Sequence, residues 1–172
     1  MEEALASMRH PGVQTVQIIF NMFRVKPAER VLPEATARGV GILARVPLAS
    51  GLLTGKLRAD TAFAPDDHRR FNREGQAFDK GETLSGVPYE TGLAAVEELR
   101  PFVPPGATLS QLALRWILMF DGVTCAIPGA KTESQARENA AASGLRALSP
   151  DTMAALAAVY DARIREYVHS SW

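Results

Sequence analysis

Three short, almost wholly apolar runs divide this chain: Val16-Gln17-Ile18-Ile19-Phe20, Val40-Gly41-Ile42-Leu43-Ala44-Arg45 and residues 123–127. Between them lie stretches whose apolar residues recur at offsets of three and four, the period of a helix. Apolar strands alternating with amphipathic helices specify an α/β fold with a parallel sheet, because crossover helices are what cover such strands. The first run reads as a strand buried on both faces, with Gln17 its one polar interior residue.

Local punctuation marks the helices. Pro27 suits a first helical position, and Gly39 suits a stop. Pro33 conflicts with a continuous helix there, since an interior proline costs about 3 kcal/mol. Residues 89–100 carry Leu93, Val96 and Leu99 at helical spacing. Thr108 and Gln111 have capping-box spacing ahead of an apolar face made by Leu112, Trp116, Ile117 and Phe120. Ser149 and Pro150 open a last helix, with Leu148 placed to staple onto Met153. A closed barrel of eight strands takes roughly 250 residues, so 172 residues with three strands are too few for one.

Residues 57–88 form a long loop within what reads as a single partial domain over residues 1–172. Loops of this length are functional or disordered, and Phe63, Phe71 and Phe78 favour an ordered one. Nineteen basic residues balance nineteen acidic ones, so no global field points to nucleic acid or an anionic membrane. Cys125 is the only cysteine, which excludes an intrachain disulfide and thiol-rich metal sites. His10, His68 and His169 lack metal-ligand spacing and read as surface or loop residues. The start Met1-Glu2-Glu3-Ala4 has no secretory character and no segment is long enough to span a bilayer, so a cytoplasmic protein is expected.

Two places carry chemistry. Ala126-Ile127-Pro128-Gly129-Ala130-Lys131-Thr132-Glu133-Ser134-Gln135 joins a strand, a glycine turn, a lysine and a capped helix start. Helix N-termini present unpaired amides to anions, and Lys131 adds a full charge. Thr132 and Gln135 have capping-box spacing. An ordinary strand-to-helix loop with an exposed lysine fits the same residues. Arg45 ends an otherwise apolar strand, where parallel α/β folds place ligand contacts. A charge merely emerging at a strand tip is the alternative.

Taken together, residues 16–21, the segment Ala44-Arg45-Val46-Pro47-Leu48-Ala49-Ser50-Gly51-Leu52-Leu53-Thr54-Gly55-Lys56 and Ile127-Pro128-Gly129-Ala130-Lys131-Thr132 resemble the second half of the aldo-keto reductase family. The resemblance extends along essentially the whole chain and implies a partial (β/α)8 TIM barrel, about its last three strands with their helices and the C-terminal helix. It implies NADP(H) as cofactor. Gln17 would bind the nicotinamide carboxamide, and Arg45 would lie against the nicotinamide ring, where many relatives carry an aromatic residue. Pro47, Leu48, Ala49 and Ser50 would follow the pyrophosphate through backbone and hydroxyl contacts, with Lys56 neutralising it. Gly129, Ala130 and Thr132 would form the adenosine end, where Lys131 would pair with the 2′-phosphate. Gln135, Glu138 and Asn139 would contact phosphate, ribose or adenine, although some relatives carry arginine at the position of Gln135.

The family's reaction is hydride transfer from NADPH to an aldehyde or ketone, and its catalytic tyrosine, lysine, aspartate and histidine belong to the first half of the barrel. No segment here resembles the motifs that carry them, and Tyr89, Tyr160 and Tyr167 do not occupy the catalytic position, so no catalytic residue is assigned. The resemblance therefore implies an N-terminally truncated enzyme, inactive alone. Two alternatives are a non-catalytic NADPH-binding or regulatory module, and a half-barrel that self-associates or pairs with a missing half through exposed sheet edges.

Overall fold

A computed structural model describes residues 1–171. Its sheet has three parallel strands in the order β1 (Thr15–Ile19), β2 (Gly41–Arg45) and β3 (Cys125–Ala126). Around it run α1 (Glu2–Ser7), α2 (Pro27–Arg38), α3 (His68–Phe71), α4 (Tyr89–Leu99), α5 (Leu109–Ile117), α6 (Glu133–Ala141), α7 (Pro150–Arg163) and α8 (Arg165–Val168). Alternation of parallel strands with helices is the α/β barrel-type arrangement expected from the sequence, with three strands present.

Most of the local signals hold. The Thr108 hydroxyl accepts from the Gln111 amide at 3.3 Å while the Gln111 side chain accepts from the Thr108 amide at 2.9 Å, closing the capping box of α5. Ser149 caps α7 by accepting from Thr152 N at 3.1 Å. Pro33 stays inside an unbroken α2, which ends at Gly39 in the left-handed conformation. Leu5, Val31, Leu32, Val96, Leu99, Leu112, Ile117 and Leu156 join Ile18, Ile42 and Ala44 in one hydrophobic core.

β1 corrects the expectation of a strand buried on both faces. Ile18 is buried, whereas Thr15 and Gln17 are exposed. Side chains alternate between the faces of a sheet, and the register pairs Gln17 with Leu43 and Leu43 with Cys125. Leu43 and Cys125 are half-buried, so the core covers one face of the sheet and the other stays open. Parallel sheets normally bury both faces, which explains why the open face still carries apolar residues.

Buried polar groups order the chain at the C-terminal ends of the strands. Asn21 is fully buried. Its amide nitrogen donates to Val46 O at 2.9 Å and to Ser85 Oγ at 3.0 Å, and its side-chain oxygen accepts from Phe23 N at 2.8 Å. Buried Arg24 donates through Nε to Ser85 O at 2.9 Å and through Nη1 to Ser171 O at 2.7 Å. Burial lowers its pKa, with Asp79 opposing the shift. Gly81 lies so close that an added Cβ would sit 2.0 Å from an Arg24 guanidinium nitrogen. Hydrogen bonds rather than buried aromatics tie the long loop together: Asn72 accepts from the Ala77 and Phe78 amides at 2.8 and 2.9 Å and donates to Thr83 Oγ1 at 3.0 Å, while Phe71 and Phe78 are exposed.

His169 lies in the turn after α8, a loop position as expected, but its ring is engaged. Its Nδ1 lies 2.9 Å from the Tyr160 hydroxyl and its Nε2 3.0 Å from Glu29, so it ties the chain after α8 to α7 and α2. Burial pushes the Tyr160 phenol up to about 12.

Replacing Asn21 with alanine strands the Ser85 hydroxyl and the Phe23 amide and leaves the Val46 carbonyl with the Ala49 amide as its donor. We expect a loss of about 2–4 kcal/mol in urea unfolding; a change under about 0.5 kcal/mol would show that these groups find other partners.

Candidate cofactor-binding groove

β2 ends at Arg45, and the chain then turns sharply. Val46, Ala49 and Ser50 have φ of 51°, 49° and 53°, and Gly51 has φ 101°. Left-handed backbone is uncommon outside glycine and is an outlier for a β-branched residue such as Val46, so surrounding contacts must hold it. They include the bond from Asn21 to Val46 O and amide bonds from Ala49 N to Val46 O at 3.0 Å and from Gly51 N to Leu48 O at 2.9 Å.

This turn forms one wall of a groove of about 830 Å³, within the range of small-molecule and cofactor sites. The loop after β3 and the start of α6 form the opposite wall, and His68, Arg69, Phe78 and Glu82 from the long loop complete it. The groove brings together Arg45, Pro47, Leu48, Ser50, Lys56, Gly129, Ala130, Lys131, Gln135, Glu138 and Asn139. Three residues expected at the site stand outside that lining. Gln17 lies on the open face of the sheet, Ala49 is fully buried behind the turn, and Thr132 caps α6 by accepting from Gln135 N at 3.2 Å.

Several groups expected to contact phosphate are engaged within the chain. Ser50 Oγ accepts from Leu84 N at 3.0 Å and donates to Glu82 O at 3.3 Å. Its hydroxyl thus joins the turn to the long loop. The capping-box spacing at α6 is only half used, because the Gln135 side chain accepts from Lys131 N at 2.7 Å rather than from Thr132 N. Asn139 donates to Gly129 O at 3.3 Å. Two α6 side chains therefore preorganise the turn at residues 129–131.

Charge in the groove is divided. Arg45 makes a bidentate pair with Glu82: Nη1 to Oε1 at 2.9 Å and Nη2 to Oε2. Arg69 is held by Asp67, which accepts from Nε at 2.9 Å and Nη2 at 2.5 Å; this partner keeps the Asp67 carboxyl down at about 2. Arg69 also donates to Ser50 O at 3.2 Å and lies over the Phe63 ring, 4.5 Å from its centroid. Both arginines are thus neutralised. Lys56 and Lys131 form no ion pair among the described residues. The first-turn acid of α6, Glu133, is bound by Arg137 at 2.6 Å, leaving Glu138 as the acidic residue of that wall. Lys131 beside the N-terminus of α6, with Lys56 contributed by the turn after β2, suits an anionic ligand.

Local sequence signals did not reveal the long-loop residues of this wall. Asp67 immediately before His68-Arg69-Arg70 marks a helix cap ahead of concentrated cations, and Asp67 does accept from Arg69 N at 2.9 Å. That local signal identifies a short helix, but not the groove it faces.

Comparisons with known proteins identify a family. Residues 1–161 match the model of the aldo/keto reductase family. A probable voltage-gated potassium channel subunit beta of Arabidopsis thaliana is 34% identical over 126 residues, 70% of this chain and 35% of the relative. Aldo-keto reductase YhdN of Bacillus subtilis is 32% identical over 123 residues, 72% of this chain and 35% of the relative. Among solved structures, the glycerol dehydrogenase AKR11B4 from Gluconobacter oxydans superposes with a TM-score of 0.70 at 26% identity, covering 87% of this chain and 43% of that one. The holo form of AKR11C1 from Bacillus halodurans shares the fold, with a TM-score of 0.62 at 18% identity over 90% of this chain and 45% of that one. The chain spans about a third of these curated relatives and less than half of these solved structures. On the family match across nearly its whole length, this chain belongs to the aldo/keto reductase family.

Proposed function

We propose that this chain is the C-terminal, NADPH-binding half of an aldo-keto reductase barrel. The observation that carries the proposal is the groove itself. Residues far apart in sequence line one cavity in which, among the described residues, the arginines are in ion pairs and Lys56 and Lys131 are not. A dinucleotide phosphate needs such an arrangement: backbone and lysine donors for its phosphates and a flat wall for its ring. Lys131, beside the N-terminus of α6, favours NADPH over NADH by pairing with the 2′-phosphate. The cofactor would supply a hydride to an aldehyde or ketone. This chain's residues would bind and orient it, Arg45 lying along the ring and Lys56 beside the pyrophosphate.

Among the described residues no tyrosine lines the groove. Tyr89 donates to Arg58 O at 2.7 Å, and Tyr160 is paired with His169 behind the helices. Proton donation would therefore come from elsewhere in a complete barrel, and the chain alone would bind without turnover. Its open sheet face supports pairing with another barrel half, since a parallel sheet is stable when both faces are covered. A stand-alone NADPH-binding module is the second reading, favoured by the preformed turn around Gly129.

Titrating the chain with NADPH should raise its unfolding free energy by about 2.7 kcal/mol at a hundred times the dissociation constant; an unchanged midpoint would remove the binding proposal. Lys131→Ala should weaken NADPH about tenfold while changing NADH little. Equal losses would sink the assignment to the 2′-phosphate. Mixing the chain with a polypeptide carrying the first half of a family barrel, with its tyrosine and lysine, should give NADPH-dependent carbonyl reduction. Full turnover by this chain alone would contradict the division of labour.

A further inference from the structure

Arg45 and Glu82 form a bidentate pair inside the groove. Both residues line the groove, and both are set on constrained backbone. Arg45 is the last residue of β2 and precedes Val46, whose φ of 51° is held by the bond from Asn21. Glu82 closes a short 3₁₀ turn, Lys80–Glu82, that Asp79 caps by accepting from Gly81 N at 2.8 Å. The Glu82 carbonyl accepts from Ser50 Oγ, and the adjacent Gly81 packs against the Arg24 guanidinium. With both ends anchored, the two-pronged pair fixes the guanidinium plane as well as its position.

The groove has an electrostatic direction. Lys131 stands at the N-terminus of α6, the end suited to phosphate. Arg45 stands at the C-terminal tip of a parallel strand, where barrel folds place the reacting group. The ring of a nicotinamide cofactor therefore belongs beside Arg45, a placement that rests on the groove being an NADPH site. That ring is neutral when reduced and cationic when oxidised. A bare guanidinium there would repel the oxidised form and leave the reduced form nearly untouched.

We propose that Glu82 is a specificity-determining residue: by cancelling the charge of Arg45, it lets the groove accept the oxidised cofactor as well as the reduced one. The pair then acts as a flat, neutral plate in the place where an aromatic side chain would serve, and its balance sets the preference between oxidation states. Each half of the pair has an opposite and separable effect on that preference.

The experiment is calorimetric titration of the full chain with NADP+ and with NADPH, each variant first checked for cooperative unfolding. Glu82→Gln keeps the side-chain length and one acceptor for Arg45 but removes the charge; it should weaken NADP+ relative to NADPH by about fivefold, the factor a unit charge exerts at close range through water. Arg45→Met, or Arg45→Gln should the methionine variant not unfold cooperatively, leaves the carboxylate alone and should shift the ratio by a similar factor the other way. The double variant should return close to the original ratio. A merely structural pair would weaken both forms together, and single variants that shift the ratio in one direction, or leave it unmoved while binding persists, overturn the role of Glu82 without touching the groove assignment. If the unsubstituted chain binds neither form, the groove assignment fails and this inference with it.

Discussion

The side chain of Asn21 holds together the region on which the groove depends. It is fully buried, and its bonds reach the chain just after β1, the exit of β2 at Val46 and the long loop at Ser85. These three segments meet at the C-terminal ends of the strands, where no ladder continues to order them. A buried polar group with its partners satisfied is strong in a low dielectric and expensive to leave incomplete. That asymmetry explains how a left-handed valine persists next to Arg45 and why the turn wall is already shaped.

From that anchor the loop is carried inward in steps. Arg24 grips Ser85 and the C-terminal segment at Ser171, Gly81 provides room for its guanidinium, and Glu82 then faces Arg45. The groove's electrostatics arise from this packing. Arg45 and Arg69 meet carboxylates, so the net positive character falls to Lys56 and Lys131. A chain with balanced overall charge can present a local anion site this way, because close pairs act at short range while salt screens the distant ones.

Much of the fold was legible from local pattern. Strand and helix periodicity, the Thr108 and Ser149 caps and the stop at Gly39 depend on interactions within a few residues, which the order of side chains encodes directly. Arg45 and Lys131 stood out for the same reason, each a charge at the end of an apolar segment. Glu82 and Arg69 did not. Glu82 meets Arg45 across 37 positions of sequence, and nothing in a loop without periodicity announces such a partner. Gln17 illustrates the opposite failure: one polar residue in an apolar strand is conspicuous, but which face it takes depends on what covers the sheet.

Composition and local pattern, then, were sufficient for the α/β class, the parallel strands, the caps that open α5 and α7 and the residues of the two groove walls contributed by strand ends. Those properties arise from backbone periodicity and near-neighbour hydrogen bonds. Folding in three dimensions decided which arginines would be neutralised, that the Ser50 hydroxyl would tie two segments together, and that one face of the sheet would stay open. Each of those outcomes turns on which distant groups come into contact in a dry interior, where burial makes a missing partner costly and a satisfied one decisive.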